Sequence, residues 1–170
     1  MSVGTTRITG KAGPLIDLAM YLATDLAELK GPLKIAAAKW TYGTAAGAVN
    51  VIYADSVTLA DGANTTLDLY ASGSLLDIFK QALTMEALKF LYIKNNSDDA
   101  TLKVFGGASN DIGIVADTSD IVEIPPGGDL CWSDPSAAGL DITTNKNLKL
   151  EHDGTGESDM VVDVIAMGLD

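Results

Sequence analysis

The chemistry open to this chain is limited first by its one histidine. His152 stands in Glu151-His152-Asp153-Gly154, so a site with two histidine ligands is excluded, and a Ser-His-Asp relay would have to be built on this ring. No serine occupies the Gly-x-Ser-x-Gly setting of a nucleophile elbow, and the place of His152 between a strand and a turn reads as a surface turn histidine. The one thiol, Cys131, lies in Leu130-Cys131-Trp132, where it reads as a small buried hydrophobe; alone, it can form no intrachain disulfide. Gly106-Gly107 is followed by neither Gly-Lys-Ser/Thr nor a helix start, so the phosphate-loop and dinucleotide patterns are unmet and the pair reads as a turn.

Carboxylates are abundant, but none stands in an apolar run that would raise its pKa for general acid/base work, so they read as an acidic surface. Two groups could offer hard oxygen ligands to calcium from short loops: Asp117 with Asp120, and Asp153 with Glu157 and Asp159. Neither has EF-hand spacing, and no metal, cofactor or catalytic residue is assigned. Trp40 and Tyr42 alternate on one candidate strand face, where they could stack on a sugar or pack in a core or subunit interface; packing is the preferred reading.

Those residues have to be held by elements, and the first is a predicted helix from Pro14 to Lys30. Leu15, Leu18, Ala19, Leu22, Leu26 and Leu29 fall on one stripe at the helical period, Asp17, Thr24, Asp25 and Glu28 take the opposite face, and Gly31-Pro32 is a stop signal. From Lys34 the period shortens to runs broken by turn residues, which predicts strands at 34–42, 48–59, 65–70, 87–95, 101–105, 121–124, 129–132, 140–143, 147–151 and 160–167. The separators Asp61-Gly62, Asn95-Asn96-Ser97-Asp98, Pro125-Pro126-Gly127-Gly128 and Asp153-Gly154 carry turn chemistry. Leu148-Lys149-Leu150-Glu151 alternates and should have one wet face, whereas Leu88 to Ile93 is apolar on both sides apart from Lys89 and reads as central. The run from Ser74 to Leu83 suits either a short capped helix or a structured crossover loop. The expected fold is mainly β: an N-terminal arm and amphipathic helix over 1–33, then an antiparallel β-sandwich or jelly-roll-like domain over 34–170, with a closed barrel as the other possibility.

Composition agrees with one folded domain. A chain of 170 residues, 47% hydrophobic and 20% charged, can bury roughly 70% of its unfolded surface. Eleven basic against 23 acidic residues give a net charge of −12, which repels phosphate backbones and anionic headgroups, so neither nucleic acid nor membrane is an expected partner. No unbroken apolar run approaches the ~20 residues a bilayer span needs.

From Asn50 onward the sequence resembles small virion proteins encoded in the structural gene clusters of tailed bacteriophages. The resemblance lies in the order of Val51-Ile52-Tyr53-Ala54-Asp55, Thr65-Thr66-Leu67-Asp68-Leu69, Leu91-Tyr92-Ile93-Lys94-Asn95-Asn96 and Leu102-Lys103-Val104-Phe105-Gly106-Gly107-Ala108. It continues through Ile124-Pro125-Pro126-Gly127-Gly128, Ser133-Asp134-Pro135, Leu148-Lys149-Leu150 and the last strand to Gly168. It implies a β-sandwich module attached to a capsid or tail, with no catalytic residues to carry over.

A homo-oligomer is the usual way to cover surplus apolar surface. The first expectation is therefore a non-enzymatic capsid decoration or cement protein that is homo-oligomeric, binds the major capsid protein or other virion subunits, and reaches the virion after assembly in the host bacterial cytoplasm. Its expected interface comprises Leu15, Leu18, Leu22, Leu26, Leu29, Trp40 and Tyr42. A tail, baseplate or receptor module presenting loops to a glycan is the alternative, and a hydrolase of envelope polymers the third.

Overall fold

Alternation of apolar and polar residues demands strands with one wet and one dry face, and the computed structural model of the chain builds them. It describes residues 9–12, 16–23, 28–35, 38–70, 75–77, 81–106, 112–114 and 120–170, with the stretch up to residue 38 described by its backbone alone. In chain order the strands are β1 (Thr9–Ala12), β2 (Ile16–Ala23), β3 (Glu28–Ile35), β4 (Ala38–Tyr42), β5 (Ala48–Val49), β6 (Val51–Leu59) and β7 (Asn64–Asp68). There follow β8 (Ala87–Asn95), β9 (Leu102–Gly106), β10 (Val122–Ile124), β11 (Asp129–Ser133), β12 (Leu140–Asp141), β13 (Asn147–His152) and β14 (Met160–Leu169).

Two antiparallel sheets form the body. One runs β10-β9-β13-β7; the other runs β11-β8-β14-β6 and has β12 also paired to β8. Leu67, Leu102, Val104, Ile124, Leu148 and Leu150 of the first sheet share one core with Tyr53, Leu59, Leu91, Ile93, Met160, Val162 and Val164 of the second. Each fully buried aliphatic side chain there stabilises by roughly 1.5–3 kcal/mol, enough to set the register. Thus β13 alternates along its length, with Leu148, Leu150 and His152 buried and Asn147, Lys149 and Glu151 half-buried.

β8 is the strand the sequence marks as central, and a second core explains why. Its Leu91 and Ile93 face the first sheet, while Phe90 turns to the outer side and packs with Trp40, Val49 and Met167. Trp40 meets Phe90 edge to face, ring centroids 6.2 Å apart at 64°. The cover is a small sheet, β1-β4-β5, in which β1 is antiparallel and β5 parallel to β4. Lys89 ties it down: its buried ammonium donates to the carbonyls of Ala48 at 2.9 Å and Ala45 at 3.0 Å. Strand pairing thereby crosses the expected division at residues 33 and 34, because β1 lies before it and β4 after it.

Within the stretch where the leucine spacing predicts a helix from Pro14 to Lys30, the backbone described is that of β2, antiparallel to β3, with Ile16 opposite Ile35 and Leu22 opposite Leu29. The same residues also read at period two, since Ile16, Leu18, Met20 and Leu22 alternate with Asp17, Ala19 and Tyr21. Residues 13–15 and 24–27, which include Leu15 and Leu26, lie outside the described residues. The helix considered from Ser74 to Leu83 gives way over its described part to a bridge between Leu76 and Ala82, with the amide of Leu83 bonded to the carbonyl of Leu75 at 2.9 Å. Asp77 explains the preference, because its carboxylate takes the Gln81 amide at 2.8 Å and closes a loop.

Candidate interaction face and the histidine loop

Two places gather chemistry-bearing side chains, and glycine geometry builds the first. The turn after β6 and the loop after β13 abut at Gly62 and Gly154, both with positive φ (68° and 73°), and a Cβ on Gly154 would stand 3.1 Å from the Gly62 Cα. That approach brings Asp61 to His152, Asp153 and Glu157. The His152 Nδ1 is 3.2 Å from Asp153 Oδ1 and 3.7 Å from Asp61 Oδ1, and one ligand atom each of Asp61, His152 and Glu157 lies within 4.8 Å of the others.

Such a trio has the donor chemistry of a divalent-cation site, and backbone amides already take one acceptor position on each of its members. Gly154 N–H donates to His152 Nδ1 at 3.1 Å, Gly156 N–H to Asp61 Oδ1 at 3.3 Å and Thr155 N–H to Glu157 Oε2 at 3.1 Å. The other ring nitrogen, Nε2, is 3.0 Å from the Ser158 carbonyl oxygen, so it carries the proton. With 1% of its surface exposed, the ring is a hydrogen-bonding post for residues 153–158 and presents no free nitrogen to a substrate. The expected surface histidine is therefore corrected to a buried one: β13 ends on a residue of its core face. Of the acidic groups read in the sequence, Asp153 and Glu157 come to this loop, Asp159 and Asp120 are exposed, and Asp117 lies outside the described residues. Asp61 was missed as a member because its turn was read only as a turn; closeness across sequence-distant loops leaves no local signal.

The second place is the outer face of the β11-β8-β14-β6 sheet. The small sheet covers one end, where Phe90 and Met167 lie. Beyond that end the register sets Cys131, Tyr92, Ile165 and Ala54 in one row across the strands, then Asp129, Lys94, Asp163 and Ser56 in the next. Tyr92, Ile165 and Cys131 are half-buried and Ala54 is exposed, and the face sinks into an open depression of about 480 Å³ lined by Ala54, Asp55, Ser56, Tyr92 and Asp163 to Ile165. Asp163 accepts from Ser56 Oγ at 2.5 Å and Asn96 Nδ2 at 2.8 Å, and these bonds hold its carboxyl below the usual range. Burial, then the Asp129 charge, pushes the Cys131 thiol up, which makes it a poor nucleophile at neutral pH.

The expected interface residues separate. Trp40 is 1% exposed and belongs to the chain's own second core, so it is closed to a partner; Tyr42, two residues on, is 49% exposed. The pair thus makes no two-ring platform. Leu18, Leu22 and Leu29 fall in β2 and β3, with Leu15 and Leu26 outside the described residues. Among the described residues, no helix is long and apolar enough to cross a membrane. Compared with known proteins, the chain matches no family model and no curated sequence.

Proposed function

We propose that the chain is a non-catalytic structural subunit of a bacteriophage particle, acting as a capsid decoration or cement protein that binds coat subunits and stabilises the head. The observation that carries this reading is the placement of the segments that bear the resemblance. Val51 to Asp55 lies in β6, Thr65 to Asp68 in β7, Leu91 to Asn95 in β8, Leu102 to Phe105 in β9, Leu148 to Leu150 in β13 and the final segment in β14. Pro125 to Gly128 forms the turn joining β10 to β11, with Gly127 at φ 71°. The segments therefore fall in the strands and turns of a two-sheet body, in keeping with a β-sandwich module. The satisfied histidine ring and the unreactive thiol also favour a role in packing.

Cement is preferred to the glycan-binding tail or baseplate reading because Trp40 and Tyr42 do not form a shared surface. The test is sedimentation of the purified chain with particles assembled without it. Saturable binding to heads and a higher temperature of head rupture are expected. A chain that ignores such heads and instead binds a glycan array through Tyr42 would replace the cement reading with the receptor one.

A further inference from the structure

Both Asp-Gly pairs of the chain, Asp61-Gly62 and Asp153-Gly154, meet at the histidine loop. In such a pair the glycine nitrogen can attack the aspartyl carboxyl carbon through a five-membered ring, and glycine has no Cβ to shield its amide. At Asp153 the fold assembles the parts for that reaction. Because Nε2 of His152 faces the Ser158 carbonyl at 3.0 Å and carries the ring's proton, Nδ1 holds the lone pair. That lone pair takes the Gly154 N–H at 3.1 Å. The same nitrogen stands 3.2 Å from Asp153 Oδ1, an oxygen that is buried and has no hydrogen-bond partner among the described residues. The other carboxylate oxygen, Oδ2, accepts from the Thr101 amide at 3.2 Å, which holds the carboxyl group in place. One ring atom thus touches both the proton that must leave the amide and the oxygen that must receive it.

We infer that Asp153-Gly154 is a self-modification site, which converts to an isoaspartyl linkage with His152 carrying the proton. The Gly154 nitrogen bonds to Asp153 Cγ and passes its proton to His152 Nδ1. The Cγ–Oδ1 bond breaks, and Oδ1 takes that proton together with the carboxyl group's own and leaves as water. Water then adds at one of the two carbonyls of the cyclic imide. Opening at Cγ restores aspartate; opening at the main-chain carbonyl leaves the chain running through Cγ, with one more methylene in the backbone and the mass unchanged. The longer backbone disturbs the approach of Gly154 to Gly62, where a Cβ would already stand 3.1 Å from the facing Cα, so conversion loosens the loop. This property belongs to the loop alone and does not rest on the proposed role.

The experiment is peptide mapping by liquid chromatography and tandem mass spectrometry, which separates isoaspartyl from aspartyl peptides of equal mass. The full chain is held at neutral pH for weeks, folded and in guanidinium. Asp61-Gly62 is the internal reference, because the chain's one histidine is engaged with Gly154 and leaves the Gly62 amide without such a base. In the folded protein Asp153 should convert at least about tenfold faster than Asp61, and in guanidinium the two rates should converge. His152→Asn offers the Gly154 amide an oxygen but cannot carry its proton, so it should bring the folded Asp153 rate down to that of Asp61. A role of the ring in loop support alone predicts the opposite, since a looser loop reaches the cyclic geometry more easily. Equal rates at the two aspartates in the folded wild type overturn the inference; so does an Asp153 rate that stays the same or rises in His152→Asn.

Discussion

The Nε2 of His152 lies 3.0 Å from the carbonyl oxygen of Ser158, a bond that spans the loop between β13 and β14 and occupies the nitrogen a catalytic histidine would keep free. Replacing His152 with alanine leaves that carbonyl and the Gly154 amide without partners and opens a cavity beneath two glycine turns. The expected loss is about 2–4 kcal/mol of unfolding free energy, measured in guanidinium. A loss under about 0.5 kcal/mol would mean the loop is held by other groups.

Lys89 should give the protein an unusual alkaline response. Burial, opposed by the nearby Asp134, holds its ammonium below the ordinary value of 10.5. The unfolded chain therefore binds this proton more tightly, and stability rises with pH as the folded protein's Lys89 titrates, up to about 10.5. Lys89→Met keeps the volume and removes the proton, so the stability difference between wild type and variant should shift toward the wild type from pH 8 to pH 10 in urea titrations. Tyr53, pushed up to about 12 by burial and by Asp55, ionises first in the unfolded chain, so between about pH 10 and 12 it adds the same loss of stability to both proteins and leaves their difference unchanged.

Asp163 should govern part of the acid limb. Its hydrogen bonds from Ser56 and Asn96 favour the carboxylate, so its stabilisation is present above the unfolded value of about 3.9 and is lost as pH falls through the lower folded value. Asp163→Asn should destabilise at pH 7 and become indistinguishable from wild type once pH is well below 3. Thermal melts across pH 2–7 read this directly, and a constant offset at all pH values would point to lost packing instead.

Two glycines should behave very differently. A Cβ on Gly168, where the β14–β8 register shifts, would lie 2.1 Å from the Ala87 carbonyl oxygen and 2.7 Å from Met85, whereas one on Gly127 meets nothing within 4 Å. Gly168→Ala should cost about 3 kcal/mol or more through overpacking. Gly127→Ala should cost only about 1 kcal/mol for its positive φ of 71°. Equal melting temperatures for the two variants would contradict the close approach at Gly168.

The body of the fold was legible because its signals are local. Period-two runs located β8 from Ala87 to Asn95 without error and β13 and β14 to within two residues, since side-chain alternation and turn glycines act over a few positions. The N-terminal segment was ambiguous for a definite reason: Leu18, Leu22 and Leu29 satisfy both the helical and the alternating period, and a stripe cannot choose between them without the surface it covers. The histidine loop and the outer face were not legible, because Asp61 reaches His152, and Trp40 reaches Phe90, only through pairing of distant strands. Trp40 and Tyr42 were correctly placed on one strand, but which of them is roofed over depends on where β4 ends its contact with the sheet.

Electron microscopy of phage particles made with and without the chain should show density for the two-sheet body on the outside of the head, repeated at symmetry-related positions between coat subunits and absent from particles lacking the chain. Heads identical in the two samples, with the missing density at the tail tip or in no part of the particle, would contradict it.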